Sequence, residues 1–177
     1  MKNFFDLIAL RESCRNFSDK KVDRKTIVSL IEAARLAPSA CNSQPWSFYI
    51  ACGDKAADVA KCVQYLGANR FTDNCSAFTV VVEENAVLYE RVLQLFKNDE
   101  FSSIDIGIAV AHYCLAATDL GLSTCIMGWL NQKKLKEVLN LPKEKHVRLV
   151  IATGYAATDT LRKKTRKDLD SIMHFID

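Results

Sequence analysis

The sequence predicts an α+β fold, in which short strands alternate with helices but form no regular βαβ repeat. Four runs rich in β-branched, aromatic or other apolar residues predict strands over 47–52, 78–83, 122–127 and 147–155. The segments between them carry apolar residues at helical spacing, which favours helices packed on a sheet in layers. The 177 residues suit one domain over 1–177, long enough for a substantial core and too short for two large domains.

The first long helix is predicted over 24–36. Apolar residues recur there at helical spacing after Asp23, a residue type that favours the N-cap position, and Pro38 prevents the helix from continuing. Three other helices are predicted over 55–66, 85–100 and 131–141. The helical spacing of apolar residues is weakest over 85–100.

A central helix is predicted to run from a capping-box pattern at Ser102 and Asp105 to Leu120, with Gly121 in a C-cap position. Its apolar residues point in every direction: Ile104, Ile106, Ile108, Val110, Ala111, Tyr113, Leu115, Ala116 and Ala117. Such a helix needs cover on all sides, which a domain of this size rarely provides alone. We therefore expect it to be buried partly against a second subunit.

The overall charge argues against nucleic acid as a partner, because a formal net charge of +3 is small for a chain of this length. The N-terminus has no signal-peptide cleavage site, so we expect a cytoplasmic protein. The longest apolar run, 106–117, is interrupted by His112. It is shorter than the roughly 18 residues that a membrane span requires, so we expect no membrane segment.

Seven cysteines form an odd set with no CxxC pair, which disfavours a disulfide framework and favours a reducing cytosol. The three histidines, His112, His146 and His174, lie far apart in the sequence. No Cys/His spacing matches a structural zinc site, and no metal is predicted.

The segment RESCRNF, residues 11–17, places Arg11, Ser13 and Arg15 at every second position. In an extended segment these side chains share one face, where two guanidinium groups and a hydroxyl suit a phosphate or a polar heteroaromatic edge. The alternative is structural, with both arginines at the C-terminal end of the preceding helix and Ser13 capping a turn. Taken alone, these residues favour the structural alternative.

The loop PSACNSQPW, residues 38–46, is a second candidate. It carries four polar side chains between two prolines: Ser39, Asn42, Ser43 and Gln44. Amides and hydroxyls on a stiffened loop can hydrogen-bond a ring that carries both donors and acceptors. The alternative is a long turn that satisfies its own backbone, with Trp46 in the core.

The basic segment LRKKTRK, residues 161–167, has two interpretations. It is either a solvated surface or a source of cations for a phosphate site. The sequence alone does not select which of its five cations would serve: Arg162, Lys163, Lys164, Arg166 and Lys167.

Several common sites are missing from the sequence. The six glycines form neither a GxGxxG dinucleotide fingerprint nor a P-loop. The run 121–125 approaches a GxSxG nucleophile elbow, but Cys125 stands at the last glycine position. A thiol enzyme that uses Cys41 or Cys14 with a distant histidine stays open as an alternative.

The candidate segments together resemble the nitroreductase family of FMN-dependent oxidoreductases. RESCRNF resembles the family's R-x-S-x-R-x-F, and residues 37–48 resemble its A-P-S-x-x-N-x-Q-P-W-x-F. Residues 103–130 resemble its central helix and following strand, and 154–172 its C-terminal part. The resemblance implies a three-layer fold with a mainly antiparallel central sheet flanked by helices, in an intertwined homodimer with FMN sites at the interface.

The resemblance also implies roles for individual residues. Arg11 and Ser13, with Glu12 between them, would hold the flavin ring edge and ribityl chain, and Arg15 would bind the phosphate. The other residues that it places at the non-covalently bound flavin are Lys164 and Arg166 at the phosphate, Pro38, Ser39, Ala40 and Asn42 from the other subunit, Met127 and Gly128 near N5, and Asn69 at the ring. Many relatives have two glycines or an acidic residue where this chain has Met127, Gly128 and Trp129.

The implied activity is transfer of hydride from NADH or NADPH, through FMN, to a nitroaromatic, a quinone or a similar electron-poor small molecule in a ping-pong cycle. No catalytic side chain is then required, although Arg11 would stabilise negative charge on the reduced flavin. The alternatives are another flavin chemistry on the same fold, such as dehalogenation or flavin destruction, and a non-catalytic flavin-binding module.

Overall fold

The computed structural model describes residues 3–87, 89 and 98–176, with the side chains of all of these except 98–100. Besides four short 3-10 turns, five α-helices and four strands lie in the described part. In chain order they are α1 (Phe4–Leu10), α2 (Arg24–Arg35), β1 (Trp46–Cys52), α3 (Asp54–Val63), β2 (Ala77–Glu83), α4 (Asn98–Asp119), β3 (Ser123–Met127), α5 (Gln132–Leu139) and β4 (His146–Gly154). All four predicted strands are confirmed, each end within one residue of its predicted position.

The strands form one antiparallel sheet in the order β1-β2-β4-β3. The central strand β2 is buried on both faces, with Val80 and Val82 on one side and Val81 on the other. Helices α3 and α5 cover the first face, and α2 and α4 cover the second. The predicted α+β fold, with an antiparallel sheet between two helical layers, is therefore confirmed.

Helix α4 packs along α2 and against the sheet, with one face in the core. A stripe at Ile104, Gly107 and Ala111 is exposed in the single chain. The apolar run 106–117 belongs to a longer segment, Phe101–Asp119, that is long and apolar enough to cross a membrane. Core helices of water-soluble proteins share that property.

The start of α4 differs from the prediction, because the helix begins at Asn98 and Ser102 lies inside it. The carboxylate of Asp105 accepts a hydrogen bond from the backbone N–H of Ala40 at 3.1 Å. The Asp105 side chain, which the sequence pattern assigned to a local helix cap, thus bonds a residue far away in the sequence. The predicted end is correct, since Gly121 takes the left-handed conformation (φ 74°) that glycine accommodates without strain.

Two other helices end earlier than predicted. Helix α3 stops before residue 66, because Leu66 and Gly67 have positive φ angles of 55° and 80°. Helix α5 stops before residue 141, because Asn140 is left-handed (φ 52°) and acts as a C-cap. The predicted helix over 85–100 lies largely outside the described residues.

Tyr113 ties α4 to the two central strands. Its hydroxyl lies 2.8 Å from Oγ1 of Thr79 on β2 and 3.0 Å from Oγ1 of Thr153 on β4. Burial raises the pKa of Tyr113 to about 12, so the hydroxyl stays neutral and can donate one bond while accepting the other. This network fixes the position of α4 on the sheet.

The substitution Tyr113→Phe is expected to lower the free energy of unfolding by about 1–3 kcal/mol, because both threonine hydroxyls lose a buried partner. Urea denaturation at fixed protein concentration measures this change. The matched control is Tyr65→Phe at an exposed tyrosine, expected to change stability by less than about 0.5 kcal/mol. Equal stabilities for Tyr113→Phe and wild type would show that the network does not contribute.

Candidate functional site

The segment 11–18 is extended because it pairs with the sheet. Cys14 donates its backbone N–H to the carbonyl of Thr124 on β3 at 2.8 Å. Ser18 donates to the carbonyl of Tyr155, directly after β4, at 2.9 Å. These bonds hold the segment along the edge of β3 and past the end of β4.

The side chains of this segment fall on two faces. Cys14 and Phe17 are buried in the core between the sheet and α3, where the Cys14 thiol donates to a nearby backbone carbonyl. Arg11, Ser13 and Arg15 line one groove at the surface. The structure thus brings together the three residues whose spacing predicted a shared face.

The second wall of the groove is the segment 162–166 from the C-terminal part of the chain. Arg162 donates its backbone N–H to Oε2 of Glu12 at 3.1 Å and its guanidinium to the carbonyl of Ser13. The same carboxylate lies 3.6 Å from Nε of Arg162. Sequence analysis did not select Arg162, because nothing local distinguishes it from four neighbouring cations.

Lys164 occupies the C-terminal end of α1, where its ammonium donates to the carbonyl of Ala9. A cation is favourable there because the last carbonyls of a helix carry partial negative charge. The structural alternative assigned this role to Arg11 and Arg15. Arg11 is the C-cap residue of α1, with its backbone N–H donating to the carbonyl of Leu7 at 2.9 Å, but both Arg11 and Arg15 line the groove.

The groove, with a volume of about 300 Å³, is strongly cationic. Its lining contains one acidic residue, Glu12, and six basic residues: Arg11, Arg15, Arg162, Lys163, Lys164 and Arg166. Among the ion pairs within the described chain, Arg162 pairs with Glu12, while the other five basic residues of the groove take part in none. Unpaired like charges repel one another, so this groove favours an anion.

The loop 38–44 has an unusual backbone. Cys41, Asn42 and Gln44 all have positive φ angles, of 53°, 52° and 48°. Such conformations in non-glycine residues cost on the order of 1 kcal/mol each and are typical of functional sites. Of the described residues that line the cationic groove, none belongs to this loop.

The alternative interpretation of this loop, a long turn that satisfies its own backbone with Trp46 in the core, is partly confirmed. Within the loop, backbone N–H groups bond back to Ser39 and Ala40, and the N–H of Gln44 donates to Oγ of Ser39 at 3.0 Å. Trp46 is buried against α2 and α4. The loop is therefore a closed local structure, fixed to α4 through Asp105.

The turn after β3 presents a rigid aromatic surface. The Met127 side chain is in the core, whereas Gly128 and Trp129 are exposed. Trp129 stacks on Tyr65 with ring centroids 6.4 Å apart, and its indole N–H donates to the Tyr65 carbonyl at 2.9 Å. The amide of Asn69 donates to the carbonyl of Trp129 at 3.4 Å and so steadies the same turn.

Most of the thiols are poor candidates for nucleophiles. Burial raises the pKa of Cys75 to about 12, and burial also raises the pKa values of Cys52, Cys62, Cys114 and Cys125. Cys14 is buried, whereas Cys41 is exposed. Within the described residues, no group of three or more His, Cys, Asp or Glu side chains is placed to hold a metal ion.

Comparison with protein families gives one clear result: the family model described as "Nitroreductase family" matches residues 8–155. A protein of Archaeoglobus fulgidus, provisionally named NADH dehydrogenase/NAD(P)H nitroreductase, is 30% identical over 88% of this chain and 86% of its own length. The iodotyrosine dehalogenase 1 homolog of Caenorhabditis elegans is 26% identical over 89% of this chain. The chain spans 56% of the length of that worm protein.

Solved structures show the same fold. A provisionally assigned nitroreductase of Exiguobacterium sibiricum, determined in complex with FMN, superimposes with a TM-score of 0.85. The match covers 99% of this chain and 98% of that protein, at 18% sequence identity. Because the sequence identity is only 18%, this structural match shows a shared fold alone.

Proposed function

Since the chain belongs to the nitroreductase family, we propose that it is an FMN-dependent oxidoreductase that uses NADH or NADPH to reduce nitroaromatic, quinone or similar electron-poor acceptors. When bound, FMN would supply the chemistry, accepting hydride from the nicotinamide donor and passing it to the acceptor in a ping-pong cycle. The protein would bind the flavin non-covalently and orient both substrates.

The cationic groove is the observation that carries this proposal. Two segments far apart in sequence, 11–15 and 162–166, form a groove with six basic residues and one acidic residue. Guanidinium groups bind phosphate through paired N–H donors, and further donors along the groove suit the ribityl chain and the polar ring edge of a flavin. The donor set of the groove therefore fits FMN.

Each groove residue would have a defined task. Arg15, Lys164 and Arg166, all of which line the groove, would bind the phosphate. Arg11 and Ser13 would donate to the ring edge and ribityl chain, and the fixed charge of Arg11 would stabilise negative charge that develops there. Glu12 would hold Arg162, and thereby the second wall, in place.

The residues near the reactive ring are proposed on the family resemblance. The backbone at Met127 and Gly128 would face the ring, and the exposed position of Gly128 leaves its backbone accessible. Asn69 supports this turn through the Trp129 carbonyl. The Trp129 indole, 57% exposed beside that backbone, is large enough to restrict which acceptors approach.

We also propose that two copies of the chain form the functional unit. An apolar groove of about 810 Å³ runs along the exposed stripe of α4, lined among others by Phe4, Leu36, Ile104 and Ile108. The segment after β4 exposes further apolar side chains, at Leu169, Ile172, Phe175 and Ile176. Apolar areas of this extent on one chain are typical of protein interfaces. In the dimer, Pro38, Ser39, Ala40 and Asn42 would reach the flavin held by the partner's groove.

Reductive dehalogenation is a second candidate. It is favoured by relatives named for that activity, including the worm homolog and an iodotyrosine deiodinase of Thermotoga neapolitana that is 23% identical over 88% of this chain. The same flavin site would serve both reactions. Loss of iodide from 3-iodotyrosine, together with no reduction of nitro or quinone acceptors, would favour this candidate.

The wild-type protein is expected to bind FMN, and Arg15→Ala is expected to weaken binding about ten- to a hundredfold, because a charge-assisted phosphate contact is lost. Quenching of flavin fluorescence measures both dissociation constants. The matched control, Arg24→Ala at an exposed arginine of α2, is expected to leave affinity unchanged.

The FMN-loaded wild type should also oxidise NADH or NADPH when p-benzoquinone or nitrobenzene is added. A protein that takes up no FMN near neutral pH contradicts the proposal as a whole. Bound flavin that neither nicotinamide can reduce would indicate a non-catalytic flavin-binding module instead.

Light scattering coupled to gel filtration is expected to give the mass of a dimer for the wild type. A charged residue in the apolar groove, Ile104→Arg, should shift the mass toward the monomer and weaken FMN binding with it, because the partner completes the site. The control Val28→Arg changes a residue of similar exposure (58% against 61%) on α2 and should leave the dimer intact. A monomeric wild type that binds FMN tightly would contradict the shared site.

A further inference from the structure

Asp105 has an unusual environment. It is 4% exposed, and it is the one buried residue of the described chain that carries a carboxylate. A buried carboxylate is costly unless hydrogen bonds compensate it. The Oδ2 of Asp105 accepts the backbone N–H of Ala40 at 3.1 Å, across 65 positions of sequence.

This contact is made at the start of the strained turn. The hydrogen bonds within the loop are local. The backbone N–H groups of Asn42 and Ser43 donate to the carbonyls of Ser39 and Ala40, and Gln44 donates to Oγ of Ser39 and to the carbonyl of Asn42. Local bonds can shape a turn, but they do not determine where it lies on the rest of the protein. The bond from Ala40 to Asp105 joins the turn, with its left-handed Cys41 and Asn42, to the rigid helix α4.

We infer that Asp105 is a positioning residue of the flavin site, which holds the loop 38–44 where it meets the ring of the flavin bound by the partner subunit. This inference rests on the proposed function, because it takes the loop to contact that flavin. Asp105 would not touch the cofactor and would act through Ala40. A charge-assisted bond is about twice as strong as a neutral one, which explains why a carboxylate rather than an amide serves here.

A comparison of two flavins separates this role from phosphate binding. Asp105→Ala should weaken binding of FMN and of riboflavin, which lacks the phosphate, by the same factor of about ten or more, because the loop meets the ring. Arg15→Gln should weaken binding of FMN far more than that of riboflavin. Asp105→Asn keeps an acceptor oxygen but loses the charge, so it should recover only part of the affinity. The exposed control Asp54→Ala should match the wild type.

The proposed action across the interface has its own test. Co-expression of an Arg15→Gln protomer with an Asp105→Ala protomer, each with its own affinity tag, yields a mixed dimer. Since the loop acts on the partner's flavin, both defects fall in the same site, and the mixed dimer should keep one site of wild-type FMN affinity. If the loop acts within its own protomer, no such site remains, and the inference is wrong.

Circular dichroism and gel filtration of Asp105→Ala establish that it is folded and dimeric. Should it fail to fold, Asp105→Asn carries the test, with a smaller equal loss for both flavins. Wild-type affinity for both flavins in the folded Asp105 variants overturns the inference and leaves the proposed function intact. A wild type that binds neither flavin overturns both.

Discussion

The backbone bonds that hold segment 11–18 on the edge of the sheet are the interaction on which the candidate site depends. They make the segment extended, so alternate side chains point to opposite faces. Cys14 enters the core, while its neighbours Ser13 and Arg15, together with Arg11, face the groove. A shift of one residue would exchange the two faces and bury arginines in an apolar core, so core burial and the site enforce the same register.

The groove that results is electrostatically unfavourable without an anion. Its six basic residues share one carboxylate, and that carboxylate is engaged with Arg162. The side chain of Arg162 is 52% exposed, and salt bridges with so exposed a partner contribute on the order of 1 kcal/mol or less to stability. The ion pair between Glu12 and Arg162 therefore holds the second wall only weakly. A phosphate bound between the walls would relieve the repulsion and strengthen the contact between them. The loop 38–44 also adopts a conformation that its residues do not favour by themselves, with positive φ angles at three non-glycine residues. Hydrogen bonds within the loop and the bond to Asp105 hold it there.

Sequence analysis located the strands well, because strands with both faces buried are long runs of β-branched residues bounded by clear breaks, as in β2. The predicted start of α4 was wrong, because the pattern at Ser102 and Asp105 was interpreted as a local cap. In the structure Asp105 instead accepts a hydrogen bond from the backbone of Ala40, a contact that local sequence cannot indicate. The alternation of Arg11, Ser13 and Arg15 revealed one wall of the groove. The role of Arg162 could not be predicted from the sequence, because which of the five adjacent cations pairs with Glu12 depends on where Glu12 lies in the fold. The all-round apolar pattern of α4 led to the expectation of a second subunit, whereas the cofactor was expected only from the resemblance to a family.

The most direct test of the central claim, that the groove holds the phosphate of FMN at a site shared by two chains, is a crystal structure of the protein grown with FMN. The account predicts the phosphate within hydrogen-bonding distance of the guanidinium groups of Arg15 and Arg166, with the ring beside the loop 38–44 of the other chain. A flavin whose phosphate lies elsewhere, or whose ring meets only its own chain, would contradict it.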